Sequence, residues 1–326
     1  GNCGGGLRWD PTAGGGLASA CVDGIADLGL PNNADLGGGD GGKPIPLTWT
    51  DVSTGISGDL YNVFATDAGH VWVFGAEGMW RSTSNGRTFE AQALPGDARQ
   101  MVAMWGVGAK LWAGGWYDVL RSTDGATWSA LTVAGRTEVY AAWGSGENDV
   151  YLVGRGGAVF HSVDGRLFLT SPTGVNAALN GVWGAGASDV YAVGLFGTIL
   201  HSTTSGASWT AQKAASQDDD FNGLWGSGPD DIYAVAAKRI YHRDNTMWRS
   251  SFDAPNGATL YRAWGSARGD VYVTGSDGLL FHSENDGASW NKVDVGTQRD
   301  LYGVWGSGRN DVYVVGEGGT VFHGTR

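Results

Sequence analysis

Short apolar runs separated by glycine-bearing turns recur along most of the chain. The stretch from Leu301 to His323, LYGVWGSGRNDVYVVGEGGTVFH, is nearly repeated from Leu179 to His201 as LNGVWGAGASDVYAVGLFGTILH, and five looser copies accompany them. An aromatic anchor marks each copy: Phe64, Trp105, Trp143, Trp183, Trp225, Trp264 and Trp305, at intervals of 41, 38, 40, 42, 39 and 41 residues. A second aromatic follows in the next run: Trp72, Trp112, Tyr151, Tyr191, Tyr233, Tyr272 and Tyr313. In the last copy the runs are LYGVW, DVYVV and TVFH; most other copies add a fourth around Phe89, Trp128, Phe168, Trp209, Trp248 or Trp290. Four short strands in about 40 residues, repeated seven times, predict an all-β, seven-bladed β-propeller with four-stranded antiparallel blades. Its strands are apolar on both sides because each blade packs against a neighbour on both faces.

The seventh copy lacks its fourth run. The missing piece is expected at the other end of the chain, where residues 45–52, IPLTWTDV, carry Trp49 in the place of Trp209 or Trp290. Pairing of this segment with residues 320–324 closes the ring and covers two sheet edges that would otherwise lie open. Two residues before the anchor stand Ala103, Ala141, Gly181, Gly223 and Gly303, small enough for the crowded hub. Asn62 and Arg262 interrupt that series and are expected to place polar groups toward the central channel.

Composition then narrows the picture. The 57 glycines and 16 tryptophans among 326 residues serve turns and inter-blade packing. A net charge of −12, with no basic stripe, disfavours nucleic acid and charge-driven membrane binding. No apolar run is long enough to span a membrane as a helix. Residues 1–44 differ in kind, being rich in Gly, Asp and Asn, and read as an extension or linker ahead of the propeller at 45–326. The only cysteines, Cys3 and Cys21, lie there. One disulfide across that short loop suits an oxidising, extracytoplasmic setting: secreted, periplasmic or cell-surface. Two free thiols in a tail are the alternative. Asp23, Asp27, Asp35 and Asp40 raise Ca²⁺ in the extension against a plain solvated linker. No signal peptide is present, so export would imply that one has been removed.

Before the fourth run several copies carry a further pattern: STSNGRTF at 82–89, STDGATW at 122–128, SVDGRLF at 162–168, STTSGASW at 202–209 and SENDGASW at 283–290. This resembles the Asp-box, or BNR repeat, of sialidase-like propellers, and is similar to the ends of photosystem-assembly-factor propellers. The resemblance implies a hairpin capped by an Asp, Asn or Ser side chain, a Gly at positive φ and an inward aromatic. It implies a fold, not an activity. The Arg-Ile-Pro motif of the catalytic sialidases is missing.

Histidine is regular too. His161, His201, His242, His282 and His323 occupy one repeat position, and the same five copies place Asp149, Asp189, Asp231, Asp270 and Asp311 two residues before the second-run tyrosine. The start of the second strand lies opposite the end of the third in such a hairpin, so five structural Asp–His contacts are expected. In the first two copies both positions change together, to His70 with Arg81 and Lys110 with Arg121. Five equivalent pairs around a ring cannot converge on one ion, so no metal or catalytic residue is assigned to them. Neither a nucleophile elbow nor a cofactor motif occurs.

What remains is binding at a face. The repeat varies most in the turn between second and third runs and in the links between copies. Candidate ligand-binding residues there are Trp116, Tyr117, Arg155, Phe196, Asp218, Asp220, Lys238 and Arg239. The expected function is non-catalytic: a binding or scaffold protein recognising a protein partner through one propeller face. The alternatives are a lectin-like glycan-binding propeller and, third, a polysaccharide hydrolase or lyase.

Overall fold

The computed structural model describes residues 46–326 except 53, 97, 117, 134–136, 214–215, 217, 245–246 and 256. The extension at 1–44, with the Cys3–Cys21 pairing and the Ca²⁺ expectation, therefore lies outside the described residues, as does Tyr117.

Seven antiparallel four-stranded sheets form a ring. The first strands are Leu60–Asp67, Met101–Val107, Val139–Gly146, Leu179–Gly186, Phe221–Gly228, Leu260–Ala267 and Leu301–Gly308, and each packs on the first strands of its two neighbours. They are thus the innermost strands. Six blades run outward in chain order. The seventh is completed by Thr48–Asp51, which pairs antiparallel with Val321–Thr325, Trp49 opposite Gly324 and Thr50 opposite His323. Four of the eight residues expected in that closing strand form it, and Val52 adds one further bond to the Val321 carbonyl. The fourth strands are mostly short, as at Glu90–Ala91 and Leu169–Thr170, where the aromatics Phe89 and Phe168 fall just before the paired residues; in Trp128–Leu131 and Met247–Asp253 the aromatic lies within the strand.

The core lies between blades. Second strands such as His70–Gly75, Asp149–Gly154 and Asp189–Gly194 are buried at all but their first residue. Pleated side chains alternate sides, so burial on both is possible only with a blade on each face.

The Trp-Gly dipeptide of the repeat has a geometric cause. The anchor tryptophan of one blade lies against the glycine that follows the anchor in the next. A methyl group on Gly144 would stand 2.7 Å from the Trp105 ring, on Gly226 2.9 Å from Trp183, on Gly265 2.5 Å from Trp225, and on Gly306 2.6 Å from Trp264. Between blades 7 and 1 the series changes but the contact persists. Trp305 donates its Nε1–H to the Ala65 carbonyl at 3.0 Å, and its ring lies 5.1 Å from that of Phe64.

Two glycines of one strand separate this contact from ordinary glycine effects. Gly226→Ala drives a methyl into Trp183 of the preceding blade and the Asp231 carbonyl of its own, each at 2.9 Å, and should cost about 1–3 kcal/mol by overpacking. Gly228→Ala meets nothing within 4 Å and should change stability by no more than about 0.5 kcal/mol. Urea unfolding midpoints test both; equal effects at the two positions would refute the close inter-blade contact.

Candidate functional site

The repeated polar side chains form closed units. His161, His201, His282 and His323 place Nε2 2.6 Å from Oδ1 of Asp149, Asp189, Asp270 and Asp311, and His242 lies 2.7 Å from Asp231. Each imidazole stacks on the tyrosine of its own second strand, with centroids 4.0–4.2 Å apart. The other carboxylate oxygen accepts a serine hydroxyl from Ser145, Ser227, Ser266 or Ser307. Blade 4 has Ala185 in that place, and Gln212 there donates to the far nitrogen, His201 Nδ1, at 3.1 Å. In blades 1 and 2 the chemistry is exchanged as a set: Arg81 lies over Trp72 and Arg121 over Trp112, 5.3 and 5.5 Å from the rings. A cation–π contact of roughly 0.5–2 kcal/mol thus replaces a charge-assisted hydrogen bond of roughly 1.5–3 kcal/mol. Each carboxylate–imidazole pair is closed within its own blade, while the Tyr151, Tyr233 and Tyr313 hydroxyls and the Arg81 and Arg121 Nε groups of these units are buried with no hydrogen-bond partner among the described residues. Among the described residues no group of three or more His, Cys, Asp and Glu could hold a metal ion, and no helix is long and apolar enough to cross a membrane.

The hairpins before the fourth strand repeat a common set of bonds, and two of them also accept from the preceding blade, Gly165 O from Trp112 Nε1 and Gly206 O from Ser171 Oγ. Asp124 Oδ1 accepts the backbone N–H groups of Ala126 and Thr127 at 2.9 and 2.7 Å, and Asp164 those of Arg166 and Leu167 at 2.8 and 2.7 Å. Asn285 does the same for Ser289 at 3.0 Å. Behind them a buried serine binds the turn glycine, as Ser202 Oγ accepts the Gly206 N–H at 2.9 Å. The aromatic of the preceding blade sits against this glycine, Tyr151 on Gly206 and Tyr233 on Gly287.

The face bearing the inter-blade links is less uniform. Trp116 is 49% exposed and Phe196 is 74% exposed, both at turns between second and third strands. Phe196 has φ +58°, in a turn where other blades place Gly156, Asp277 and Gly318. Asp220 holds that turn: its Oδ1 accepts the Phe196 N–H at 2.9 Å. Asp300 and Asp59 act alike, accepting from Asp277 N at 3.0 Å and Gly318 N at 2.9 Å. The run Asp218–Asp220 is therefore not merely a solvated link. Asp218 is exposed, but Asp219 accepts the Tyr241 hydroxyl and faces Arg239, which also pairs with Asp253 at 3.3 Å. Arg155 pairs with Glu138 at 2.8 Å. Lys238 is exposed, its carbonyl accepting the Ala254 N–H at 2.9 Å. The structure thus brings Phe196 and Asp220 together and engages Arg155 and Arg239 in ion pairs.

On the same face the central channel opens. The second residue of each first strand lies part-buried at its rim: Tyr61, Val102, Tyr140, Asn180, Asn222, Tyr261 and Tyr302. Tyr261 and Tyr302 rings are 5.3 Å apart, and Tyr302 and Tyr61 6.3 Å. Asn180 and Asn222 each donate to the neighbouring first strand, at the Phe221 and Leu260 carbonyls. Tyr140 and Tyr261 donate to Glu138 and Asp300 in the links, which fixes the rim on the link face. Burial raises the Tyr302 phenol to about 12, helped by Asp300 and Asp59, and burial raises the Tyr61 and Tyr261 phenols as well. Arg262, from blade 6, donates to the carbonyls of Asn180 at 3.3 Å and Tyr140 at 3.5 Å, in blades 4 and 3. A side chain joining blade 6 to blades 3 and 4 must cross the axis. Asn62, by contrast, turns its Oδ1 to the adjacent Val63 N–H.

No family model matches the chain, and no curated protein does either. Solved structures do. The chain is similar to YCF48 bound to D1 peptide, with a TM-score of 0.71 and 14% identity over 87% of this chain and 96% of that one. It is similar to a catalytically inactive virginiamycin B lyase from Staphylococcus aureus with quinupristin, at a TM-score of 0.74 and 13% identity over 86% of this chain and 99% of that one. A xyloglucanase from Xanthomonas campestris gives a TM-score of 0.67 and 14% identity over 84% of this chain and 53% of that one. At such identities the likeness establishes the propeller fold, which a peptide-bound protein shares with a lyase and a glycanase. The Asp-box remains a resemblance of residues.

Two features escaped the sequence reading. The rim tyrosines look like any apolar strand residue until the ring assembles them. Val163, Leu167 and Leu169 form an exposed aliphatic patch on blade 3, at 72%, 58% and 61% exposure. Comparison of copies could have found it, since blade 2 has Thr123, Thr127 and Ser129 at those positions.

The hairpin carboxylates predict a pH dependence. Backbone N–H groups of Thr127 and Ala126 hold Asp124 well below the usual range, and those of Leu167 and Arg166 lower Asp164. Burial would raise Asp231 and Asp270, but hydrogen bonds from His242 with Ser227, and from His282 with Ser266, outweigh it and leave both lowered. A lowered folded pKa gives stability that is complete above the unfolded value near pH 4 and is lost as pH falls through the folded value. Asp124→Asn with Asp164→Asn should keep both turns, because Asn285 already does this work, and should flatten the loss of urea resistance below about pH 4. An unchanged acid slope would count against these turns as its source.

Proposed function

We propose that the protein is a non-catalytic binding protein that holds a protein partner on its link face in an extracytoplasmic setting. Phe196 carries this reading. A bulky side chain at positive φ costs roughly 1–3 kcal/mol, and Phe196 gains no burial in return, being the most exposed large apolar residue described. Strain held at an exposed aromatic is the kind of cost associated with a contact made elsewhere. Trp116 supplies a second anchor on that face, and the tyrosines of the channel rim lie on it. Aromatic side chains at the centre of a patch are the residues that most often dominate protein–protein affinity. The non-catalytic reading is supported by the Asp–His pairs, repeated in five blades and each closed within its own blade. The acidic surface and the two cysteines support the setting.

Phage-displayed random peptides selected on the immobilised protein, run beside a glycan array, test the two ligand classes together. Peptide ligands are expected whose affinity falls by about tenfold or more in Phe196→Gly. The urea midpoint of that variant should hold or rise, since glycine adopts the turn without strain. Saturable glycan binding lost in Trp116→Ala, with no peptide selected, would reverse the assignment in favour of a lectin.

A further inference from the structure

At the innermost position where five blades place Gly or Ala, blade 6 sends an arginine across the axis. Its stem runs past Gly223 of blade 5 at ordinary van der Waals distance. Among the described residues no carboxylate meets the guanidinium. Its two hydrogen bonds, to neutral carbonyls at 3.3 and 3.5 Å, sit at or beyond the long end of the normal range. Burial lowers its pKa to about 10, so it still carries its charge at neutral pH. The residue is nonetheless part-exposed, which at this depth means exposure to the channel. Five donors in a fixed fork thus face a narrow lumen with only two weak acceptors engaged. At the rim of the same channel, in blades 1 and 7, the Tyr61 and Tyr302 hydroxyls have no hydrogen-bond partner among the described residues.

We propose that the channel mouth is a binding site for a carboxylate group, taken by the Arg262 fork and flanked by the rim tyrosines. Fork and carboxylate match in shape and charge, and the pair is usually bidentate. The rim selects against more highly charged anions: Asp59 and Asp300 lie close enough to raise the Tyr302 phenol, and both would repel a phosphate dianion. The tyrosine rings favour a carboxylate with an aromatic or apolar body. Such a group could be borne by a free small molecule or by the end of a polypeptide. This site shares the rim tyrosines with the proposed partner surface but does not use Phe196, and would stand if Phe196 bound nothing.

Fluorine NMR of 4-fluorobenzoate against 4-fluorobenzamide, at fixed ionic strength, tests it. Saturable broadening of the acid is expected, with the amide weaker by about tenfold or more. Arg262→Gln should abolish the difference and Arg262→Lys, which keeps charge but not the fork, should retain part of it. Tyr302→Phe should weaken binding without removing it. Short peptides with free and amidated C-termini separate the sources: binding by the free form alone assigns the carboxylate to a chain end, and binding by benzoate alone to a small molecule. Equal binding of acid and amide, equal displacement by chloride, unchanged binding in Arg262→Gln, or no binding by any carboxylate probe would each overturn the proposal. A purely structural plug also predicts a lower unfolding temperature in Arg262→Met. A ligand-binding charge predicts an unchanged or higher one, since an uncompensated buried cation is removed.

Discussion

The ring depends on one contact repeated at five of its interfaces: the indole edge of one blade set against the glycine of the next. Any side chain larger than hydrogen at Gly144, Gly184, Gly226, Gly265 or Gly306 would push two blades apart at their narrowest point. Because the contact is heterologous, blade onto next blade, it generates an open array unless the last copy meets the first. Closure comes from Trp305 reaching Ala65 and Phe64, and from the segment at Trp49 completing the sheet of blade 7. The two devices act at opposite ends of that sheet, one at the axis and one at the outer edge.

Farther out, repeated polar pairs tie the second strand of each blade to its third. The Asp–His pairs with their stacked tyrosines, and the Arg–Trp pairs that stand in for them, solve the same problem with comparable energies. Both bind the second strand to the third beneath a wall of aromatic packing. Such devices are repeated because they stabilise blades, and repetition marks them as scaffold. Specific function must then lie where the repeat is broken at some cost. Phe196 breaks it with a strained backbone, Arg262 with an uncompensated charge, and Val163, Leu167 and Leu169 with exposed aliphatic surface. Three different penalties at three different places are hard to reconcile with drift in a neutral scaffold.

The sequence by itself determined the number of blades, their strand content, the segment that closes the ring and the pairing of five histidines with their aspartates. All of these follow from periodicity: residues that recur at fixed spacing must meet equivalent partners, so a local pattern read once is read seven times. Tertiary structure alone decided the candidate sites. Tyr61, Tyr261 and Tyr302 are far apart in the chain and become a rim only when the ring brings their strands to one axis. Arg262 could be seen to depart from its column, but its reach to blades 3 and 4 depends on the channel being narrow enough for one side chain to span. The strain at Phe196 is a backbone torsion, set by the turn that Asp220 holds from the next blade. Repetition encodes what every blade shares, whereas a site is built from differences among blades, and those acquire meaning only through distances across the ring.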